Sequence, residues 1–325
     1  MHRQTWKTLV FACIILSLLF VMLYSGFQVL ESTVFHNQND TGVIHSKTII
    51  RNGKHYFPRQ DINVLMIMGI DESGPVVSSG THRNNGECDV VTLLIFNEAQ
   101  KTYQILVLNR DTMVKMPALG LGGRPAGEFY GQLALSHTYG SGLEDSCENT
   151  VNTVSSFLYG NQIDLYMALN MDAIEILTDA VGGVPVHVTE DFSAIDPSIP
   201  MGDTVLNGRQ AMSFIRTRQG LGDQLNLSRM ERHKTYMQGF WSVLSQKSDD
   251  TALLSDAYQQ VSPYMVTNCS MNLLTTLISR YADYTLEEVV SLPGENVKGK
   301  HFYEFHPDEE ALDALILRLF YEEKH

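Results

Sequence analysis

Asn63-Val64-Leu65-Met66-Ile67-Met68-Gly69-Ile70-Asp71 decides the fold: an uncharged, largely apolar run closed by an aspartate. A run of this kind reads as a strand buried on both faces. A Gly/Ser-rich loop over 72–87 follows, and Asp89 then opens a second run, Val90-Val91-Thr92-Leu93-Leu94-Ile95-Phe96. The turn Asn97-Glu98-Ala99-Gln100-Lys101 is short enough for a hairpin. Gln104-Ile105-Leu106-Val107-Leu108 is the third strand, ending at Asn109-Arg110-Asp111. If the second strand runs antiparallel to the other two, Asp71, Asp89 and Arg110 meet at one edge of the sheet. Two carboxylates and a guanidinium there suit a divalent cation and a phosphate. Mg²⁺ is usually held by one or two carboxylates together with phosphate oxygens. The plainer alternative is that the aspartates only end strands and Arg110 pairs with one of them.

Further along, 148–158 reads as a helix, 164–169 as a strand, 172–181 as a helix and 184–188 as a strand. Such a mixture predicts an α/β protein: a three-layer α/β/α domain with a central mixed sheet. A helix over 271–283, a strand ending at Glu304-Phe305-His306 and an amphipathic helix over 308–323 complete the chain. Upstream, 43–57 reads as a short strand or hairpin.

Residues 209–234 hold Arg209, Arg216, Arg218, Arg229, Arg232 and Lys234, where an even spread of the 23 Lys and Arg would give about two. In an acidic chain such crowding is self-repulsive unless an anion sits there. The stretch 208–217 reads as a helix delivering Arg216 and Arg218 at its end. Ser228-Arg229-Met230-Glu231 has the capping-box pattern, with Ser228 as N-cap. Arg229 then lies in a first turn, where the helix dipole favours an anion rather than a cation. An anion bound in front of it would account for that placement, with Arg232 and His233 one turn on. Arginine forks match phosphate oxygens bidentately. The alternative is a solvated basic patch balanced by Asp223 and Glu231, or a docking surface for another protein.

Composition narrows the class. The chain has 325 residues, 44% hydrophobic and 18% charged, with a net charge of −14. It can bury a core and is not disordered. An acidic chain is also a poor nucleic-acid binder, since that affinity comes from neutralising phosphates. Between Thr8 and Leu30 there is no charged residue, and 9–23 is almost wholly apolar. Such a segment is long enough to cross a bilayer. Arg3 and Lys7 precede it, so residues 1–7 are expected in the cytoplasm and the remainder outside. No A-x-A site follows Leu23, which favours an uncleaved anchor over a signal peptide. The expected organisation is a tail over 1–7, a transmembrane anchor over 8–30, a stalk over 31–60, a catalytic domain over 61–249 and an extension over 250–325. Cys88, Cys147 and Cys269 fall outside the membrane, where at most one bridge can form among three.

The chain resembles the LytR–CpsA–Psr family of bacterial cell-envelope phosphotransferases. Matching pieces run from Asn63-Val64-Leu65 through Gly69-Ile70-Asp71, then Asp89-Val90-Val91-Thr92 and Asn109-Arg110-Asp111-Thr112. They continue through Ser136-His137-Thr138-Tyr139-Gly140, Asp179-Ala180-Val181-Gly182-Gly183 and Leu206-Asn207-Gly208-Arg209-Gln210-Ala211. Arg216-Thr217-Arg218, Gly222-Asp223 and Arg229-Met230-Glu231-Arg232 complete the set. Each piece is weak alone; together, over about residues 61–245, they are specific. The resemblance implies a membrane-anchored, Mg²⁺-dependent enzyme outside the cell. It would move a glycopolymer from a polyprenyl-pyrophosphate carrier onto peptidoglycan through a phosphodiester bond. By resemblance, Asp71 and Asp89 hold the metal. Arg110, Arg216, Arg218 and Arg229, with Arg232 and His233 on the same face, bind pyrophosphate. Arg110, Asp111 and Asp223 serve catalysis.

The chain also departs from the family pattern. Glu87 stands where a basic residue is common, leaving Arg83 as a substitute, and the 71–89 loop is long. Cys88 adjoins the metal strand and Cys147 begins a helix, so a Cys88–Cys147 bridge is the expected pair, against three reduced and packed thiols. Two other functions use the same groups: a pyrophosphatase acting on polyprenyl pyrophosphate lipids, and a non-catalytic regulator binding envelope anions.

Overall fold

In the computed structural model, residues 48–82, 85–120, 123–217 and 226–323 are described. The expected tail, anchor and most of the stalk lie outside these residues, as do Arg83, Arg218 and Asp223. Among the described residues no helix is long and apolar enough to cross a membrane.

The three apolar runs become β3 (Ile62–Ile70), β4 (Cys88–Asn97) and β5 (Thr102–Leu108). β4 is antiparallel to both neighbours, to β5 across the short turn at Lys101 and to β3 across the long 71–87 loop. Before them, β1 (Ile49–Arg51) and β2 (Lys54–Pro58) form the expected hairpin. After them come β6 (Met113–Leu119), β7 (Pro125–Gln132), α1 (Glu144–Phe157), β8 (Leu165–Asn170), α2 (Met171–Ala180), β9 (Val184–Val188) and β10 (Gly202–Leu206). The chain continues with α3 (Gly208–Arg216), α4 (Asn226–Gln246), α5 (Thr251–Val261), β11 (Met265–Thr267), α6 (Met271–Tyr281) and β12 (Thr285–Ser291). It ends with β13 (Gly294–Lys298), β14 (Tyr303–Pro307), α7 (Glu309–Phe320) and β15 (Tyr321–Glu323).

The central sheet is mixed, in the order β11-β8-β3-β4-β5-β12, with β3/β8 and β5/β12 parallel and the other pairs antiparallel. Residues 250–325 therefore supply both edge strands. Alternation along β3 feeds two cores. Val64, Met66 and Met68 pack with Cys147 and Val154 of α1 and with Leu315, Ile316 and Leu319 of α7. Leu65, Ile67 and Gly69 look the other way, toward α2, α4, α5 and α6. β15 returns to pair with β2, joining the first hairpin to the chain end.

A second core joins β9 and β10 to α3 and α4 through Val184, Val186, Leu206, Phe214, Ile215 and Tyr236. It fixes where α3 ends. Asn207 and Gln210 form a capping box at its start. A Cβ on Gly208 would stand 2.5 Å from the Glu175 carbonyl, so only glycine lets α3 lie this close to α2. The expected Cys88–Cys147 bridge is not formed: both thiols are buried and reduced, as is Cys269. Cys88 Sγ donates to the Val90 carbonyl, and burial pushes the Cys147 thiol up to about 12. The alternative of packed thiols describes the fold.

Candidate active site

Asp71 follows the last residue of β3 and Asp89 is the second residue of β4, and the ladder between them is irregular. Gly69 pairs with Val90 and Ile70 with Cys88, so Asp89 is skipped. A bulge of this kind re-aims a side chain at a sheet edge. Here the re-aimed carboxylate is gripped by two guanidiniums. Arg110 Nη1 meets one oxygen, and Arg229 Nη2 lies 3.1 Å from the other and 3.1 Å from the Asp89 carbonyl. The Asp89 side chain is only 3% exposed, Arg229 is buried with it, and the Arg110 side chain is 11% exposed. Charges taken this far out of water persist only when paired.

Arg110 makes two further contacts. Its Nη2 donates to Glu87 at 2.5 Å, and its Nε is 3.4 Å from Asp111 Oδ1. The acidic Glu87 thus becomes a second counter-charge for Arg110. Asp111 is itself held: its N–H donates to Asn109 Oδ1 at 3.0 Å, and Gln132 Nε2 donates to its Oδ1 at 2.9 Å. Gln132 was not legible as a site residue, because β7 gives no apolar signal and pairs only with β6.

Beside this cluster lies a cavity of about 450 Å³ with a mixed charged and apolar lining. Asp71, Asp89, Arg216, Thr217, Arg229 and His233 line it. The sheet edge and the arginine-rich segment therefore meet in one place. Asp71 and Arg216 are exposed, and neither has an ion-pair partner among the described residues. His233 is buried, with Nε2 3.3 Å from the Ile215 carbonyl.

Two expectations change. α4 starts at Asn226, so Ser228 lies inside the helix and is not its N-cap. The anion facing Arg229 is the Asp89 carboxylate. Arg232 does not face the cavity as an anion ligand. Its Nε donates to the Phe214 carbonyl at 2.7 Å, Nη2 to the Thr217 carbonyl and Nη1 to Glu190 at 2.5 Å. Those carbonyls belong to the open end of α3, where a cation favours the dipole. Arg232 is a brace for the segment carrying Arg216.

No three His, Cys, Asp or Glu gather as a metal cluster among the described residues. Asp71 and Asp89 offer two carboxylates at most. With Asp89 already neutralised, Asp71 is the open one. Such a donor set fits a hard cation arriving with phosphate oxygens rather than one caged by protein alone.

The cavity shares Gly69, Val90, Leu169, Ile174, Ile215 and His233 with an apolar chamber of about 180 Å³ beneath α2, α4, α5 and α6. Its walls include Leu65, Ile67, Met237, Phe240, Trp241 and Leu254. A cavity bearing charged groups thus adjoins an apolar chamber across a shared wall of six residues.

Comparison with known proteins gives the chain its relatives. It is 24% identical over 262 residues to the polyisoprenyl-teichoic acid–peptidoglycan teichoic acid transferase TagU of Bacillus subtilis, covering 80% of this chain and 78% of that one. The TagU of Oceanobacillus iheyensis is 26% identical over 257 residues, covering 76% and 72%. Among solved structures, Bacillus subtilis TagV superposes with a TM-score of 0.63 at 22% identity, covering 80% of this chain and 96% of that one. TagT bound to LI-WTA gives 0.62 at 21%, covering 86% and 97%. These structures share the fold. The LytR_cpsA_psr family model matches residues 32–319, nearly the whole chain, and the protein belongs to that family.

Proposed function

We propose that the protein transfers a glycopolymer from a polyprenyl-pyrophosphate carrier to peptidoglycan, outside the cell and anchored in the membrane by residues 8–30. The observation that carries this is the junction of a charged cavity with an apolar chamber. A prenyl pyrophosphate is the ligand class with that division: a polyanionic head and a long hydrocarbon tail. The relatives named as teichoic acid transferases support the same substrate class.

Arg216 and Arg229 both line the cavity, and in this reading Arg216, with Arg218 two positions on in sequence, neutralises the diphosphate while Arg229 divides its charge between it and Asp89. Arg110, through Asp89, ties the end of β5 to that cavity. Mg²⁺, when bound, would be held by Asp71 with Asp89 and would offset phosphate charge. Phosphoryl transfer is catalysed chiefly by positioning and charge stabilisation, which these groups supply. The acceptor hydroxyl oxygen forms a bond to the phosphorus bearing the glycan. The bond from that phosphorus to the bridging oxygen breaks, and polyprenyl phosphate leaves with its electron pair. The hydroxyl proton passes to a carboxylate, for which Asp111 and Asp223 are the candidates.

The test incubates the full chain in detergent with Mg²⁺, a polyprenyl-pyrophosphate oligosaccharide and uncrosslinked peptidoglycan strands. A phosphodiester-linked product by mass spectrometry is expected. Free sugar phosphate would indicate hydrolysis, and tight binding with neither product would indicate a non-catalytic binder; either result overturns transfer.

A further inference from the structure

The β13–β14 hairpin is a two-stranded ribbon outside the central sheet. Its tip carries Val297, Lys298, Lys300, His301, Phe302 and Tyr303, all exposed. Two aromatic rings 42% and 48% open to solvent, beside two lysines with no ion-pair partner among the described residues, are out of character for this acidic chain. Burial would be the ordinary fate of such rings. Tyrosine and phenylalanine kept at a surface beside cations are typical of recognition sites.

Strand β14 of the hairpin is tied to the site. Phe305 is buried, its N–H donates to the Asp111 carbonyl at 2.8 Å, and it bridges to Thr112. Gln132 Nε2 donates both to Asp111 Oδ1 and to the Tyr303 carbonyl, each at 2.9 Å. One amide thus joins a candidate catalytic carboxylate to the first residue of β14. Lys298 is the register partner of Tyr303, so cation and ring stand across from one another.

Position along the sheet selects the occupant. The apolar chamber and Arg216 lie toward β8 and β3, whereas the hairpin follows edge strand β12 beyond β5. In phosphoryl transfer the attacking and leaving oxygens are roughly in line through phosphorus. A leaving group whose tail runs toward β8 and β3 therefore requires the acceptor from the β5 and β12 flank. We infer that the β13–β14 tip is the docking surface for the acceptor, a glycan strand bearing carboxylates. The apolar faces of its sugar rings would stack on Phe302 and Tyr303, and its carboxylates would meet Lys298 and Lys300. This rests on the transfer reading for the identity of the acceptor, but glycan binding by the hairpin can be measured without turnover.

The test uses the full chain in detergent and two double variants, Lys298→Ala/Lys300→Ala and Phe302→Ala/Tyr303→Ala. The altered side chains are exposed, so unfolding midpoints should match the parent. Binding of soluble uncrosslinked peptidoglycan strands, by calorimetry, is expected to weaken at least about tenfold in each variant. The acceptor KM should rise in parallel, while kcat at saturating acceptor and the affinity for a prenyl-pyrophosphate analogue are retained. Unchanged glycan affinity in both variants overturns the inference, even if the parent transfers. Loss instead of binding to vesicles of anionic phospholipid, with glycan affinity intact, overturns it in favour of a membrane contact. A parent that binds strands through the hairpin but makes no phosphodiester product would overturn the transfer reading alone.

Discussion

Asp89 and Arg216 sit at the same cavity in opposite electrostatic conditions. Asp89 is enclosed by Arg110 and Arg229, with Asp89 and Arg229 buried and Arg110 nearly so. Removing one partner of a buried ion cluster leaves the others uncompensated, at a cost of about 3–5 kcal/mol. Asp89→Asn should therefore lower stability by roughly 3 kcal/mol in urea unfolding, confounding any loss of activity. Arg216 is exposed and has no ion-pair partner among the described residues. Arg216→Ala should leave stability within about 0.5 kcal/mol, while lowering turnover by about 100-fold, the scale for losing one preorganised charge donor. Equal damage to stability by both variants would mean that Arg216 is a structural residue. The Asp89–Arg110 pair was legible because strand order alone brings those positions together. The role of Arg232 was not, because its partners Phe214, Thr217 and Glu190 lie 15 to 42 residues away and two of them are backbone carbonyls.

Among elements, long apolar strands announced themselves and short polar ones did not. β4 and β5 are buried over most of both faces, β3 on one face with its other lining the chamber, and all three read as largely hydrophobic runs. β6 contains Lys115 and Pro117, and proline argues against a strand unless it lies at an edge. β13, Gly-Glu-Asn-Val-Lys, is polar along most of its length, and β12 pairs in parallel with β5 from the far end of the chain. β6 and β13 pair with their immediate successors in the chain, but their polar residues and proline hide the strand period, and β12 has its partner far upstream. The helix α3 shows the converse: its start was written in Asn207 and Gln210, but its end depends on Arg232 of α4. Lysine's three donors radiate from a single nitrogen, so it cannot span acceptors that Nε, Nη1 and Nη2 of the planar fork reach separately. Arg232→Lys should thus remove buried hydrogen bonds, for about 1–3 kcal/mol of stability. Arg216, two positions after Phe214, would shift with the loosened turn, so the KM for a prenyl-pyrophosphate donor should rise more than kcat falls. A kcat loss at constant KM would place Arg232 in the chemistry instead.

Across the whole molecule, the layer between the sheet and α2, α4, α5 and α6 is only partly filled: Met167, Ala173, Val261 and Met265 pack there as a small core, and a chamber remains beside them. No sequence pattern revealed it, since residues lining a chamber and residues filling a core share the same hydrophobicity and spacing. Its use can be separated from that of the charged mouth at Ile174, on α2, which lines both spaces. Ile174→Trp would narrow the passage while leaving Asp71, Asp89 and Arg216 in place. Each buried methylene contributes about 0.8 kcal/mol, so excluding even two carbons of a tail weakens binding about tenfold. The affinity of the variant for a long-chain prenyl pyrophosphate should fall by at least that factor. A short-chain analogue carrying the same diphosphate, too short to reach past Ile174, should bind within about threefold of the parent, less than the tenfold that corresponds to 1.4 kcal/mol. Overpacking itself can cost about 1–3 kcal/mol of stability, and the short-chain ligand controls for that general loss. If both ligands weaken together, the mouth has been distorted. If neither does, the tail lies elsewhere and the chamber is only a packing defect of the fold.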